Sequence, residues 1–446
     1  MEASSKRAAQ QAPHHRSALN GANGTVVSKD PDELVAFKQD WKELMRAALG
    51  LEGGRSGHVM KYFYSSLGSP SGAKLWDNLV KYDKDYYIPA DEADIIQRHE
   101  DYFDHLFGVR DGKIGPVMID LGPGGIHSVN LKSIPTAEAV RASAYVAIDY
   151  NSKFAEDAAA LMNQTLGIEA WRDRGDFTKR VRLQDELQEI IGDAPILMTM
   201  FGCTLSQFPF KQEPGGTGEA TFHETLKNLG EMTGFNSILL ATIDANLDSS
   251  SAERCYRDEH VNRWYRHIWM TAKLMIESSH DKKNNYVLVD GDAHANPADF
   301  VAHLPRYENG RIAQSYMTRV PMTFVIDGEK FRLPKGTEVV AAPSEKWSVP
   351  RVIEGLKGTG FTLVNDLTVQ GSTVHALVLA GKNVSQEQIE RASQTLEAIA
   401  QSKREVLNSS RLHRSEKILS APEEPSRLVK FIQNWMPRPA LVQASY

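Results

Sequence analysis

Asp120-Leu-Gly-Pro-Gly-Gly125 ends the apolar run that starts at Val117. Glycines in that position let the chain turn sharply and bring its backbone close to a ligand. The next acid at the end of an apolar run is Asp149, 29 residues further on. A carboxylate there can accept a hydrogen bond from each of the two hydroxyls of a ribose. Gly175-Asp-Phe177 comes next. Asp176 can accept from the exocyclic amine of an adenine, and the Phe177 backbone amide can donate to its ring. Sugar, base and a close-approach turn describe an adenosine-bearing ligand.

Dinucleotides are one such class. They require G-x-G-x-x-G between strand and helix. Counted from Gly122, the third glycine position holds His127, and no run of small residues suits a pyrophosphate. That disfavours a nicotinamide-dependent oxidoreductase. The three pieces together point to S-adenosylmethionine, with Asp120, Gly122, Gly124, Asp149, Asp176 and Phe177 as its binding residues. Its methyl group is already activated, so the protein is asked chiefly to position two reactants. Other chemistry is weaker. Cys203 follows a strand-end glycine but has no histidine–acid partnership and reads as a small buried residue. Asp290-Gly-Asp-Ala-His294 reads as a loop turn. The fourteen histidines form no H-x-x-x-H or H-x-E cluster, so no metal is expected.

Such residues need a sheet to carry them. Val117–Asp120, Tyr145–Asp149, Ile196–Gly202 and Ser237–Asp244 read as buried strands, each ending in Gly or Asp. Helical stretches Lys153–Thr165 and Lys179–Ile191 lie between them. This alternation predicts an α/β fold, a parallel sheet with helices on both faces and ligands at the carboxyl ends of the strands. Towards the end, a helix over Val349–Gly358 and strands Phe361–Val364 and Thr373–Leu379 would complete the sheet with an antiparallel pair.

The remainder departs from this rhythm. Residues 1–30 lack apolar periodicity and read as a disordered leader; without an amphipathic stripe they make a poor transit peptide. Residues 32–105 are helical, with aromatic stretches at Lys61-Tyr-Phe-Tyr64 and Asp85-Tyr-Tyr-Ile-Pro89. Segment 248–345 opens with a helix over Arg254–Glu277, whose stripe is Trp264, Ile268, Ala272 and Met275. Strands Met322–Ile326, Lys330–Leu333 and Thr337–Ala341 follow. Residues 384–446 read as a helical C-terminal extension. It begins at the capping box Ser385-Gln-Glu-Gln388, carries a second helix near Arg427–Trp435, and suits packing or homo-oligomer contact.

Bulk properties limit the partners. A chain of 446 residues suits two to three domains, or one enzyme core with an insertion. The net charge of −6 gives no general attraction to nucleic acid or anionic membrane and fits a small-molecule substrate. Two cysteines argue for a reducing compartment, hence the cytoplasm. No apolar run approaches the ~20 residues of a membrane span.

From about Val59 to Ala380 the chain resembles the histidine-specific methyltransferase family, which includes the histidine N-methyltransferase of the ergothioneine pathway. Lys61-Tyr-Phe-Tyr64 and Asp85-Tyr-Tyr87 resemble its two aromatic segments, and the three cofactor elements follow in order. Phe201-Gly-Cys-Thr-Leu-Ser-Gln207 resembles its G-[ST]-T-I-G-N segment, and Cys255-Tyr-Arg-Asp258 its A-Y-[DN]-D helix start. The resemblance implies a Rossmann-like class I methyltransferase sheet (106–247 and 346–383). It also implies an inserted α+β substrate-binding domain (31–105 and 248–345). The implied reaction is N-methylation of a free amino acid, with L-histidine first, on its α-amine or ring.

Carried over residue by residue, Tyr64, Tyr86, Gly202 and Tyr256 fall on acceptor-binding positions, and Tyr64 is the candidate catalytic contact to the amine. Gln207 stands where the family has Asn and still offers an amide. In Ala341-Ala-Pro-Ser344-Glu-Lys346, Ser344 is kept, but Ala342 replaces a glutamate that grips an imidazole; Gln314 replaces a methionine. The amino and carboxylate end thus looks retained and the side-chain end rebuilt. That leaves room for another aromatic amino acid, such as a tryptophan derivative. A catalytically silent methyltransferase-like partner subunit is the alternative from a different class; the intact Asp120, Gly122, Gly124 and Asp149 oppose it.

Overall fold

Five consecutive buried residues, Val117–Leu121, form β1, and its neighbours are equally dry: β2 (Ala144–Asp149), β4 (Ile196–Met200) and β5 (Ser237–Asp244). Strands buried on both faces read as continuous apolar runs, which is why these four were legible. In this computed structural model, describing residues 31–108, 114–177, 194–210 and 221–394 and isolated residues between 178 and 193, they lie at the centre of a seven-stranded sheet. With β3 (Glu169–Arg174), β12 (Phe361–Leu367) and β13 (Val374–Gly381), its order is β12-β13-β5-β4-β1-β2-β3. The strands β1 to β5 run parallel; β13 is antiparallel to both β5 and β12. This is the Rossmann-like methyltransferase arrangement. Strand order reverses between β1 and β4, and a crevice opens beyond the carboxyl ends at such a switch point.

Edge strand β3 escaped the sequence reading because Glu169-Ala-Trp-Arg-Asp-Arg174 alternates exposed and half-buried residues with no apolar run. Two further antiparallel sheets, β10-β9-β6 and β11-β8-β7, lie between β5 and β12 in the chain. Here β6 is Tyr286–Val289, β7 Val301–Glu308, β8 Arg311–Thr318, β9 Met322–Ile326, β10 Glu329–Leu333 and β11 Glu338–Glu345. The β7–β8 turn is Asn309-Gly310 and the β9–β10 turn Asp327-Gly328, all four residues with φ between +51° and +82°. Such pairs are the favoured two-residue hairpin turns.

The expected helix over Arg254–Glu277 is split. One helix spans Ser249–Arg254, and a second, Glu259–Glu277, starts where the Asp258 carboxylate accepts the His260 amide at 2.7 Å. An aspartate is a strong N-cap, so the chain restarts there. Glu259–Glu277 packs its buried stripe against the helices Pro31–Ala48 and Gly72–Tyr82. The helix at Val349 ends at Gly355.

The first compact unit reaches Ser393 and includes the helix Gln386–Ala392. Tyr102 and Asn365 both donate to the Ala392 carbonyl, at 2.6 and 3.2 Å. The leader 1–30, most of the helix expected over Lys179–Ile191 and the helix near Arg427–Trp435 lie outside the described residues. No described helix is long and apolar enough to cross a membrane.

Candidate functional site

A cavity of about 610 Å³ opens beyond the carboxyl ends of β1, β2 and β4. Gly122 and Gly124 line it with φ of +75° and +74°, conformations that L side chains rarely adopt. The Gly122 amide donates to Ile148 O at 2.8 Å, which pins the loop against β2. Asp149 lines the same wall and accepts the amides of Asn151 (2.7 Å) and Gly124. Burial pushes its carboxyl up to about 7, with a smaller push from the charge of Asp120. A buried carboxylate without an ion-pair partner among the described residues is suited to a ligand's hydroxyl donors. Gly175, Asp176 and Phe177 complete this wall. The Phe177 ring lies against Gly122 and meets Phe208 edge-on at 6.4 Å. These residues fit the adenosine half of S-adenosylmethionine.

Asp120 lies elsewhere. It is buried beneath the loop and does not line the cavity. Its carboxylate accepts the Tyr145 hydroxyl at 2.8 Å and the Thr199 hydroxyl at 2.9 Å, tying β1 to β2 and β4. The structure thus gives it the place of a strut under the glycine turn.

Tyr64, Gly202 and Gln207 line the same cavity. Tyr64 closes the 3₁₀ turn Met60–Tyr64, and its carbonyl accepts the Asn151 side-chain amide at 2.8 Å. Its hydroxyl shares a hydrogen bond with Gln207. Burial, then the charge of Asp149, push the phenol well above its ordinary range against that bond, so it keeps its proton at neutral pH. The ring leans on Trp76 and Trp264 at 5.5 and 5.3 Å.

Four carried-over residues are not brought into the cavity: Tyr86, Tyr256, Gln314 and Ser344. Trp76 and Trp264, 4.8 Å apart, begin a ring cluster that continues through Tyr86 to Tyr256 and Tyr265. Tyr256 is buried with its hydroxyl 2.7 Å from Ser344 Oγ. Gln314 is buried opposite Ala342 in the β8–β11 register and bonds His303 at 2.8 Å. His303 stacks on Tyr265 at 4.6 Å and 16°, and burial lowers its pKa to about 4, so it is neutral.

Sequence reasoning passed over Lys132, Trp76 and Asp77. Lys132 lines the cavity from the π-helical turn Val129–Ser133 and pairs with Glu92 at 2.8 Å. Asp77 accepts the His127 amide at 3.0 Å and caps the helical turn after the glycine loop from fifty positions earlier in the chain. No local spacing announces either contact; the π-turn, a frequent companion of functional sites, appears only once the chain is folded. Both cysteines are buried and free. Among the described residues, Asp40, Glu43 and His58 have ligand atoms close enough for a metal, but Arg55 pairs with both carboxylates and Lys61 with Asp40.

The model of the histidine-specific, S-adenosylmethionine-dependent methyltransferases matches residues 47–380. No curated protein matches significantly. Among solved structures the chain is similar to an S-adenosylmethionine-dependent methyltransferase from Clostridium acetobutylicum, at 12% identity and TM-score 0.31, over 69% of this chain and 96% of that one. It is also similar to the magnesium protoporphyrin IX methyltransferase of Synechocystis with bound SAH, at 12% identity and TM-score 0.33, over 72% and 98%. With its matched length covering most of the chain and a sheet of methyltransferase order, the protein belongs to the histidine-specific, S-adenosylmethionine-dependent methyltransferase family.

Proposed function

We propose that the enzyme methylates a nitrogen of a free amino acid, with L-histidine the first acceptor. One observation carries this reading. The cavity is continuous from Asp149, Asp176 and Phe177 to the hydrogen-bonded pair Tyr64 and Gln207. Donor-type and acceptor-type residues therefore share one chamber, as a direct transfer requires. The substrate-binding domain in this reading is made of 31–105 and 248–345.

When bound, S-adenosylmethionine supplies a methyl already activated on its sulfonium. Asp149 holds the ribose hydroxyls, and Asp176 with the Phe177 amide holds the adenine. Gln207 donates its amide to the acceptor's carboxylate. The Tyr64 oxygen accepts an N–H from the amine, which leaves the nitrogen lone pair free to attack. Tyr64 is a phenol and takes no proton, so the amine reaches the site unprotonated. Trp76, Phe154 and Phe201 line the chamber and keep water from the reacting atoms. These aromatic walls also favour a second acceptor class, an aromatic amino acid such as a tryptophan derivative. Product mass spectrometry on the twenty amino acids with S-adenosylmethionine tests the reading. A mass gain of one or more methyls on histidine supports it. Binding of S-adenosylhomocysteine with no methylated amino acid from the panel overturns it.

A further inference from the structure

Glu92 lies in the helix Ile88–Arg98, outside every motif that marks the cavity, and is 1% exposed. Its Oε2 receives Lys132 Nζ at 2.8 Å, and Lys132 is itself buried. Its Oε1 accepts the Gly202 amide at 2.6 Å and the Thr242 hydroxyl. Thr242 Oγ1 in turn accepts the Cys203 amide at 3.1 Å. One carboxylate thus joins its own helix to the turn after the glycine loop, the end of β4, and β5.

A buried ion pair is a poor source of stability, because desolvation offsets the attraction and an apolar pair often serves as well. Geometry is what this one supplies. Gly202 and Cys203 are consecutive left-handed residues, with φ of +71° and +52°. For cysteine that conformation is strained and persists where the surroundings over-determine it. The two amides held by Glu92 and Thr242 are those of these two residues. The same segment runs on to Gln207, the partner of Tyr64. On its other side, Lys132 stands 5.5 Å over the Phe201 ring and lines the cavity. Glu92 itself does not line it.

We propose that Glu92 is a positioning residue that locks the segment Phe201–Gln207 into its acceptor-binding form. The inference rests on the reading above, in which Gln207 holds the acceptor. Three full-length variants test it: Glu92→Ala removes both tethers, Glu92→Gln keeps an oxygen for the Gly202 amide and Thr242, and Thr242→Val removes the bond to Cys203. Hydrogen exchange at the Gly202 and Cys203 amides, turnover of the acceptor and affinity for S-adenosylhomocysteine are measured on each. In Glu92→Ala, exchange at both amides should speed up roughly tenfold or more, as local opening becomes easier. Its kcat/KM for the acceptor should fall about thirtyfold and the affinity for S-adenosylhomocysteine by a much smaller factor, since the Gly202 and Thr242 bonds lie on the acceptor side and only the Lys132 bond reaches the turn after the glycine loop. Glu92→Gln should recover most of the protection and turnover, and Thr242→Val should repeat the pattern more weakly at Cys203. Unchanged exchange in Glu92→Ala, or a loss of S-adenosylhomocysteine affinity as large as the loss of turnover, overturns the proposal. Where Glu92→Ala does not fold, the same two criteria are applied to Thr242→Val. If the wild-type enzyme methylates no amino acid, the functional reading fails, and the exchange measurement alone decides whether Glu92 holds the loop.

Discussion

In the proposed reading, Asp149 is the residue on which donor binding turns. A protonated carboxyl is a far weaker acceptor than the carboxylate and turns one oxygen into a donor, so binding favours the ionised form. With its carboxyl raised to about 7, the dissociation constant for S-adenosylhomocysteine should rise about tenfold for each pH unit below that value and be flat above about pH 8. Calorimetric titrations across pH 5 to 8.5 read this directly, and Asp149→Asn should abolish the slope. Asp149→Ala should weaken binding roughly tenfold to hundredfold, from the ~1.5–3 kcal/mol of a charged hydrogen bond. Gln207→Ala makes a different demand. If it holds the acceptor's carboxylate, KM should rise for every accepted amino acid, because that group is common to all. A change confined to one acceptor would place Gln207 at the side chain instead. The place of Asp149, Asp176 and Phe177 on the cavity wall was legible because strand ends and glycines mark them in the chain; Lys132 and Glu92 carry no such mark.

Among the elements, the helix Gly72–Tyr82 does more than cover the sheet. Asp77 on it caps the helical turn that follows the glycine loop, and the His127 amide and ring hold its carboxyl below the usual carboxylate range despite burial. Asp77→Ala should cost about 0.5–2 kcal/mol, the worth of an N-cap, seen as a lowered melting temperature. It should also weaken S-adenosylhomocysteine binding, since the loop it braces carries Gly122 and Gly124; normal affinity would separate the cap from the donor site. Strand β11 revises an expectation. From the family pattern, a glutamate at Ala342 should steer selectivity towards histidine. Ala342 is instead fully buried opposite Gln314, away from the cavity wall. Ala342→Glu should therefore destabilise the fold by several kcal/mol as an unpaired buried charge, and thermal denaturation reads that loss. Asn309-Gly310 announced the β7–β8 hairpin, a turn signal passed over because the flanking strands mix polar and apolar residues, whereas both strands around Asp327-Gly328 were expected.

At the scale of the whole molecule, the boundary at Ser393 has consequences. The Ala392 carbonyl is bonded by Tyr102 from the N-terminal helices and by Asn365 from β12. A chain ended after Ser393 keeps the whole first unit and serves as the reference. One ended after Asn383 loses the helix Gln386–Ala392 and leaves the Tyr102 hydroxyl, in a buried residue, without its acceptor. It should melt lower, by an amount set by an unsatisfied polar group of ~1–3 kcal/mol plus the lost packing. Equal melting of the two truncated chains would mean that the helix contributes nothing to the fold.

The sequence by itself determined the buried strands of the central sheet, the donor and the order of the site elements. Buried parallel strands must be continuous apolar runs, and a glycine turn or a strand-end acid is a local feature of the chain. Tertiary structure alone decided which residues meet. Helix Gly72–Tyr82 braces a loop fifty residues later, Glu92 reaches Gly202 across 110 positions, and Asp120 turns beneath the glycine loop to Tyr145 and Thr199. It likewise decided that Tyr64 and Gln207 face the cavity while Tyr86, Tyr256, Gln314 and Ser344 lie off it. Both sets are aromatic or polar residues of similar type, and what separates them is the packing of Trp76 and Trp264 between them, a contact between distant segments that no local pattern encodes.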